Sequence, residues 1–439
     1  MGLDFSGQPT DLFHMPSIHA GVHYALPPTD WLMRPVPGAD VHLFAASDSD
    51  PILELQQSAI DRQQQRIPGS VMEIASASVV LSGAEFRGLF ATVQGRMWLN
   101  GVQGDRLRHR FQPLPGESGD LRAAFRSARD SGEYCPPVWE GDAATLDVAL
   151  AMGHGAGHPA ALVGLMSDLA HVAQDGSDRM INLHVPSLAI RHGLVAMIAA
   201  IFPTLLPRLR FHSGARRYGA VRSVFNHRHY LYQVQDSRIR RANLAQAGWQ
   251  RPGSTARQRA AVAGASYDSG LRLLREAALR RIPAPMNDPS LIWLTPGPDA
   301  PALTGHEPLL EGLRGRGFRS VQLADKTPLQ RIAALQSAEV IVAPYGTGLG
   351  DMAFVRPGTL VLSLETHRVL HDWADLLPLA HVAQCRYYTV LGDMAGGRSP
   401  DDLPPRSAPA ALHLGRRAIS RILGLIDRDR QERRRPVCA

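Results

Sequence analysis

Lysine is almost absent from this chain of 439 residues. Lys326 is the one lysine among 47 basic residues, so arginine carries nearly all of the positive charge. Chemistry that requires a catalytic lysine therefore has a single candidate. Arginine binds phosphate and carboxylate through two parallel hydrogen bonds. A formal net charge of +7 fits an anionic partner, but it does not distinguish nucleotide, glycan, nucleic acid or membrane.

Cysteine and long apolar runs are also scarce. Cys135, Cys385 and Cys438 lie far apart and form no CxxC pair, which argues against a disulfide framework or a zinc site and indicates a reducing, cytoplasmic compartment. The longest apolar stretch, residues 193–206, is too short to span a bilayer and predicts a buried helix. Residues 1–16 lack an apolar core, so we expect no signal peptide there.

Aromatic residues make up only 6% of the chain and do not alternate with the arginines. No known nucleic-acid-binding module is present, so we expect no nucleic-acid partner. The hydrophobic share of 44% and the charged share of 20% are typical of a globular protein. At about 150 residues per domain, the length predicts two or three domains.

The hydrophobic pattern predicts four parts. They are an irregular leader with a β-rich section, an N-terminal α/β domain, a C-terminal α/β domain, and a helix with a solvated basic tail, at residues 1–140, 141–281, 290–400 and 405–439. The proline-rich segment 282–289 predicts the linker between the two α/β domains. Short apolar runs alternate with amphipathic segments in both domains, and the cleaner alternation in the C-terminal domain indicates a parallel sheet there.

The most informative segment is residues 339–365. A buried strand ends at Pro344, a glycine-rich turn and a short helix follow, and a second strand ends at Glu365. Glycines let backbone N–H groups approach an anion, and a helix N-terminus favours negative charge. Glu365 fits a ribose diol as a bidentate acceptor. A methyltransferase-like glycine loop and a turn without a ligand stay open on the local pattern.

Two better-known glycine motifs do not fit this segment. No Gly-Lys-Ser/Thr follows, which excludes a P-loop. Asp351 stands where the dinucleotide fingerprint requires its third glycine.

Residues 339–365 resemble the signature of glycosyltransferase family 61, which includes bacterial capsular polysaccharide biosynthesis proteins and plant xylan-modifying transferases. The family signature runs in the order strand, glycine-rich turn, Pro-Gly-Thr and strand, and this segment keeps that order. The matching residues are Pro344, Gly346, Gly348, Leu349, Met352, Phe354, Pro357, Gly358, Thr359 and Glu365. The similarity covers residues 290–393 and includes Gln330 before the signature and Trp373 after it.

The resemblance implies an α/β, GT-B-like fold. In that fold two Rossmann-like domains face a cleft, here with a small β-rich N-terminal section. It also implies an inverting, metal-independent hexosyl- or pentosyltransferase without a cofactor. The expected partners are a nucleotide-sugar donor in the C-terminal domain and a glycan or lipid-linked glycan acceptor on the N-terminal side. We expect a cytoplasmic protein, with peripheral association at the inner face of the plasma membrane left open.

The resemblance also implies site residues. The donor-binding candidates are Tyr345, Gly346, Thr347, Gly348, Leu349, Asp351, Arg356 and Glu365. Arg356 and the glycine turn are expected to stabilise the leaving diphosphate. His158 and Asp168 are the candidates for the base that takes the acceptor proton. A purely structural role for either side chain stays open.

Several polar positions depart from the family pattern. Tyr345 replaces a histidine, Gly350 and Asp351 replace a Thr-Asn pair, and Thr295-Pro296 replaces a Ser-Arg pair. Tyrosine donates a hydrogen bond but carries no positive charge near neutral pH. The alternative expectation is therefore a weakened or inactive transferase-like protein that acts as the partner of an active transferase.

Overall fold

The computed structural model of the protein describes residues 21–25, 33–64, 71–98, 100, 138–153, 161–226, 266–282, 289–297, 302–344, 347–367, 376–395 and 411–434. The chain divides into two compact units. Unit 1 comprises Met1–Pro37 and Pro68–Arg280, and unit 2 comprises Gly38–Ile67 and Arg281–Ala439. Each unit therefore contains a piece of the N-terminal region.

Strands and helices are numbered in chain order through both units. Unit 1 contains β1 (Val22–Tyr24), β2 (Met33–Val36), β4 (Val71–Ile74), β5 (Ser76–Arg87), β6 (Phe90–Val93), β7 (Arg96–Met97), β8 (Val148–Ala151), β9 (Ile181–His184), β10 (Leu209–His212), β11 (Arg216–Asn226) and β12 (Ser266–Asp268). Its α-helices are α2 (Ala161–Ala173), α3 (Arg191–Ile201) and α4 (Ser269–Leu279).

Unit 2 contains β3 (Asp40–Ala45), β13 (Leu291–Leu294), β14 (Leu303–Thr304), β15 (Arg319–Val321), β16 (Val340–Pro344), β17 (Leu360–Glu365), β18 (Arg386–Leu391), β19 (Asp393–Met394) and β20 (Leu412–His413). Its α-helices are α1 (Asp50–Gln64), α5 (Glu307–Arg314), α6 (Pro328–Ser337), α7 (Leu377–Ala383) and α8 (Arg416–Arg434). Short 3-10 helices at Leu323–Asp325 and Leu349–Phe354 complete the site region.

The main sheet of unit 1 is mixed. Its strand order is β10-β9-β8-β11-β5-β6-β7, with β1 beside β5. β8, β9 and β10 are parallel, and α2 and α3 connect them. β5 and β11 are antiparallel and pair from Phe86–Arg216 to Ser76–Asn226. The β-rich section therefore shares one sheet with the N-terminal α/β segment and is not a separate part, because β11 supplies its partner strand.

A second, smaller sheet of unit 1 has the order β12-β4-β2. The helix that follows β12, α4, packs closely on α2. A Cβ added at Gly270 would lie 2.6 Å from the carbonyl oxygen of Ser167, so glycine allows the two helices to approach.

The main sheet of unit 2 is parallel throughout and has the order β15-β13-β16-β17-β18-β3. All residues of β16 and β17 are buried, as the apolar runs VIVAP and LVLSLE predict for a sheet covered on both faces. The chain runs from β13 outward to β15 and then from β16 outward to β18. The strand order therefore reverses between the neighbours β13 and β16.

The residues at the start of α6 are typical of a helix N-terminus. Thr327 caps the helix, its hydroxyl accepts a hydrogen bond from the Gln330 amide, and the Gln330 side chain accepts one from the Thr327 amide. Pro328 occupies the first helical position. This capping box satisfies backbone donors that the first turn of a helix leaves unpaired.

The N-terminal region differs from the expected irregular leader. β3 pairs with β18 in parallel from Asp40–Arg386 to Ala45–Leu391 and so becomes the edge strand of the unit 2 sheet. Gln56 of α1 is fully buried and fixes this connection. Its side chain accepts from the amides of Ala46 and Ser47, at 3.0 and 3.1 Å, and donates to the carbonyl of Gly392 at 2.8 Å.

The C-terminal region also differs from its prediction. The expected solvated tail is helical as far as Arg434, within α8. Asp429 is buried and forms ion pairs with Arg386 and Arg433, and Arg433 also donates to the Gly358 carbonyl at 2.9 Å. These contacts bind the basic end of the helix to the unit 2 sheet.

The α/β class is confirmed, with one parallel and one mixed main sheet. Unit 2 is compatible with a Rossmann-like fold. Unit 1 departs from a doubly wound parallel sheet where β1, β5, β6, β7 and β11 pair antiparallel. No helix within the described stretches is long and apolar enough to cross a membrane.

Replacing Gln56 with alanine should lower the free energy of unfolding by about 2–4 kcal/mol, because three buried backbone groups would lose their partner. Gln57→Ala is the matched control, since the Gln57 side chain is exposed and donates to Asp61 on its own helix. Its effect should stay within about 0.5 kcal/mol. Urea unfolding of the full chain measures both, and equal effects would contradict the structural role of residues 40–64.

Candidate functional site

The carboxyl ends of β13, β16 and β17 form one edge of the unit 2 sheet. They end at Leu294, Pro344 and Glu365. The strand order reverses between the neighbouring strands β13 and β16, so this edge is the switch point of the sheet. Open parallel sheets bind their ligands at this position. The signature segment 339–365 supplies two of the three strand ends.

The turn after β16 lies directly on its neighbours. Gly348 has a left-handed backbone with φ of 69°. A Cβ added there would lie 2.5 Å from Leu323 Cδ1 and 3.2 Å from Leu294 Cδ1. Both the backbone angle and the space therefore require glycine at this position. The Thr347 amide donates to the Pro344 carbonyl at 3.1 Å and closes the turn.

Thr347 carries an unsatisfied hydroxyl at the centre of this turn. The residue is 7% exposed, and its Oγ1 is buried with no hydrogen-bond partner among the residues the structure describes. Leaving a buried polar group unpaired costs about 1–3 kcal/mol. A ligand with a matching donor or acceptor would remove that cost. Leu349, two residues further along the chain, is also buried.

Asp351 forms an ion pair with Arg331, a residue that the sequence did not single out. The Arg331 Nε lies 3.4 Å from the Asp351 Oδ2. Burial raises the pKa of Asp351, and the charge of Arg331 partly opposes that shift. Arg331 belongs to the first turn of α6, which begins at the carboxyl side of the sheet. It is therefore the arginine that lies at the edge where the turn is found.

Arg356 does not lie with the other candidates. Its guanidinium is 3.7 Å from the Glu339 carboxylate, which directly precedes β16. Both residues therefore lie at the amino edge of the sheet, opposite the turn. The expectation that Arg356 contacts a diphosphate at the turn does not agree with this position. The 3-10 helix Leu349–Phe354 connects the turn at the carboxyl edge of the sheet to Arg356 at the amino edge. Arg356 is therefore close to the turn in sequence but lies at the opposite edge of the sheet.

Glu365 is 1% exposed and only half satisfied. Its Oε1 accepts from the hydroxyls of Ser363 and Tyr387, the latter at 3.5 Å, while Oε2 is buried without a partner among the described residues. Burial raises the pKa of Glu365 to about 8, against the opposing hydrogen bonds from Ser363 and Tyr387. In place of the expected bidentate acceptor for a diol, the structure has a buried carboxyl group in which Oε1 is hydrogen-bonded and Oε2 has no partner among the described residues.

The remaining candidates are placed as follows. Tyr345, Gly346 and His158 lie outside the described residues. Asp168 lies in α2 of unit 1, close to Asp268 at the start of α4, and burial together with this second carboxylate holds the pKa of Asp168 well above its usual range. No group of three or more His, Cys, Asp or Glu residues suited to a metal ion occurs in the described part of the chain.

The edge therefore combines a glycine turn, a buried unpaired hydroxyl, a guanidinium and a buried carboxyl group with a raised pKa. These groups suit a ligand that carries both anionic and hydroxyl oxygens. No protein-family model and no curated protein matches this chain.

The stability of the wild type should fall, relative to a Glu365→Gln variant, as the pH rises from 5 to about 8, and it should level off above that. The folded pKa of about 8 lies above the ordinary value of 4.5, so between these two values the unfolded chain has released a proton that the folded chain retains. Each tenfold difference in proton affinity is worth about 1.4 kcal/mol. Urea unfolding of both proteins across this range measures the effect.

Glu339→Gln is the control for that measurement, because Glu339 lies at the surface of the same sheet. The difference in free energy of unfolding between Glu339→Gln and the wild type should change by less than about 1 kcal/mol over the same pH range. A Glu365→Gln difference that stays constant with pH would show that Glu365 titrates normally.

Proposed function

We propose that the protein is an inverting glycosyltransferase. It moves a sugar from a nucleotide-sugar donor to a surface or capsular glycan at the cytoplasmic face of the plasma membrane. The observation that carries the proposal is the buried, unpaired hydroxyl of Thr347, beside the left-handed Gly348, where the strand order of a parallel sheet reverses. The resemblance of residues 339–365 to the family signature supports the donor class.

In the proposed reaction the acceptor hydroxyl attacks the anomeric carbon, and the bond from that carbon to the nucleoside diphosphate breaks. Negative charge develops on the diphosphate as it leaves. Backbone N–H groups of the turn and the guanidinium of Arg331 stabilise that charge. The Thr347 hydroxyl and Glu365 Oε2 bind hydroxyl or phosphate oxygens of the donor. Attack on the face opposite the leaving group inverts the anomeric centre.

A base must take the proton of the acceptor hydroxyl. His158 and Asp168 are the two candidates for this base in the proposal. Burial and the nearby Asp268 raise the pKa of Asp168, which makes its carboxylate a stronger base than that of an ordinary aspartate. The proposed arrangement is GT-B-like, with unit 2 binding the donor and unit 1 the acceptor. The α/β character of both units supports it.

The departures at Tyr345 and Asp351 favour one alternative, a donor-binding protein with little or no turnover that assists an active transferase. In this structure the Asp351 carboxylate is engaged with Arg331, which reduces the positive charge available to a diphosphate. Donor binding without transfer to any acceptor in a glycan panel would select this alternative.

A panel of UDP-, GDP-, CMP- and dTDP-sugars screened by thermal shift should identify at least one stabilising donor. With that donor, Arg331→Gln should weaken binding about tenfold or more, because a hydrogen bond to a charged group contributes about 1.5–3 kcal/mol. Titration calorimetry measures the loss.

Arg356→Gln is the matched control, since this substitution also removes one guanidinium but at the opposite edge of the sheet. Its affinity should stay within twofold of the wild type. Thermal stabilisation by none of the nucleotide sugars would refute the donor site. Equal losses in the two arginine variants would refute its position.

A further inference from the structure

A stack of three rings lies at the carboxyl ends of β9 and β10 in unit 1. His184 and His212 are the last residues of the two strands and are paired in register. Their rings stack with centroids 5.0 Å apart and planes 25° apart, and Phe86 stacks on His184 at 4.9 Å and 29°. The sequence pattern did not single out these residues, which come from separate strands.

The hydrogen bonds of Asn182 fix the tautomer of His212. The Asn182 Nδ2 is 3.3 Å from the Val148 carbonyl oxygen, which can only accept, so the amide nitrogen must face that carbonyl. Its Oδ1 consequently faces His212 and lies 2.8 Å from Nε2. His212 therefore carries its proton on Nε2, and Nδ1 keeps a lone pair. The His212 residue as a whole is only partly buried.

His184 behind it contains an unsatisfied atom. Its Nε2 is 2.9 Å from the Tyr218 hydroxyl, while Nδ1 is buried with no partner among the described residues. Burial lowers the pKa of His184 to about 3, helped by His212 and Arg216. Burial also lowers the pKa of His212, with further contributions from Arg216 and Arg210. Both imidazoles are therefore neutral at pH 7, and the arginines hold the positive charge.

Arg216 is the cation closest to the stack. Its Nη1 lies 3.2 Å from His212 Nε2, and its guanidinium lies 5.4 Å from the centre of the Tyr218 ring. A guanidinium can only donate hydrogen bonds, and in this tautomer His212 Nε2 donates to Asn182. His212 therefore does not accept a hydrogen bond from Arg216 at this contact. No ion pair of Arg216 occurs within the described part of the chain. The neighbouring Arg217 differs, because its Nε is 2.7 Å from the Glu85 carboxylate.

We propose that this ring stack, together with Arg216, is a second ligand site, which binds a hydroxylated ligand bearing a carboxylate or a phosphate. The Nδ1 of His212 accepts a hydrogen bond from the ligand hydroxyl, and the guanidinium of Arg216 binds the anionic group. The site lies at the carboxyl ends of parallel strands, where α/β sheets bind ligands. In the proposed transfer reaction this ligand would be an acidic acceptor, and that assignment alone rests on the proposed function.

The test uses the full chain and three probes, glucuronate, glucose 1-phosphate and glucose. Glucuronate or glucose 1-phosphate should bind at least about tenfold more tightly than glucose, and the better of the two identifies the anion. Arg216→Gln should remove at least about tenfold of that affinity, since it deletes one charged hydrogen-bonding group. Arg217→Gln, a substitution in the adjacent residue of the same strand, should change the affinity less than twofold.

Nitrogen-15 spectra of histidine-labelled protein provide a second readout that does not depend on a variant's folding. The wild type should show His212 with the proton on Nε2, and the anionic probe should shift its Nδ1 resonance. Equal affinities for all three probes, equal losses in both arginine variants, or a proton on Nδ1 of His212 would each overturn the site. All three probes are measured without a nucleotide sugar. The result is therefore independent of the test of the proposed function, which measures binding of a nucleotide-sugar donor.

Discussion

The close approach of the backbone at Gly348 to Leu323 and Leu294 is the constraint on which the unit 2 site depends. Any larger residue would need a left-handed backbone and would collide with Leu323. With glycine, the turn lies directly over the end of β13, so Thr347 becomes buried without a partner and the next helix starts beside Arg331. The lack of space for a side chain at Gly348 thus places the turn beside the Thr347 hydroxyl, the Asp351 carboxylate and the Arg331 guanidinium.

Exclusion of water then decides the charge of these groups. Glu365 lies in a sheet that is covered on both faces, and burial favours its protonated form. His184 is equally enclosed in unit 1, and burial there favours the neutral imidazole. The two sheets therefore offer neutral hydrogen-bonding groups at their carboxyl ends, while arginines at the rim carry the charge. This combination suits ligands that have hydroxyl groups beside an anion.

The polar groups in the two units share one origin. In each case they follow neighbouring parallel strands, whose carboxyl ends meet at one edge. In unit 2 the strand order reverses at that edge, and in unit 1 the end of β9 lies next to Phe86 of a long antiparallel strand. In the reaction that we propose, unit 2 binds the donor and unit 1 binds an acidic acceptor, so each unit binds one of the two substrates.

The sequence by itself determined the local elements. Apolar runs predict β16 and β17, and Thr327 and Pro328 mark the start of α6, because these signals depend on residues a few positions apart. Only the tertiary structure decided the partners. β3 pairs with β18 across more than 340 residues, β11 supplies the partner of β5, and Arg331 rather than Arg356 lies beside the glycine turn. Strand order and edge depend on long-range packing, which hydrophobic periodicity along the chain does not record.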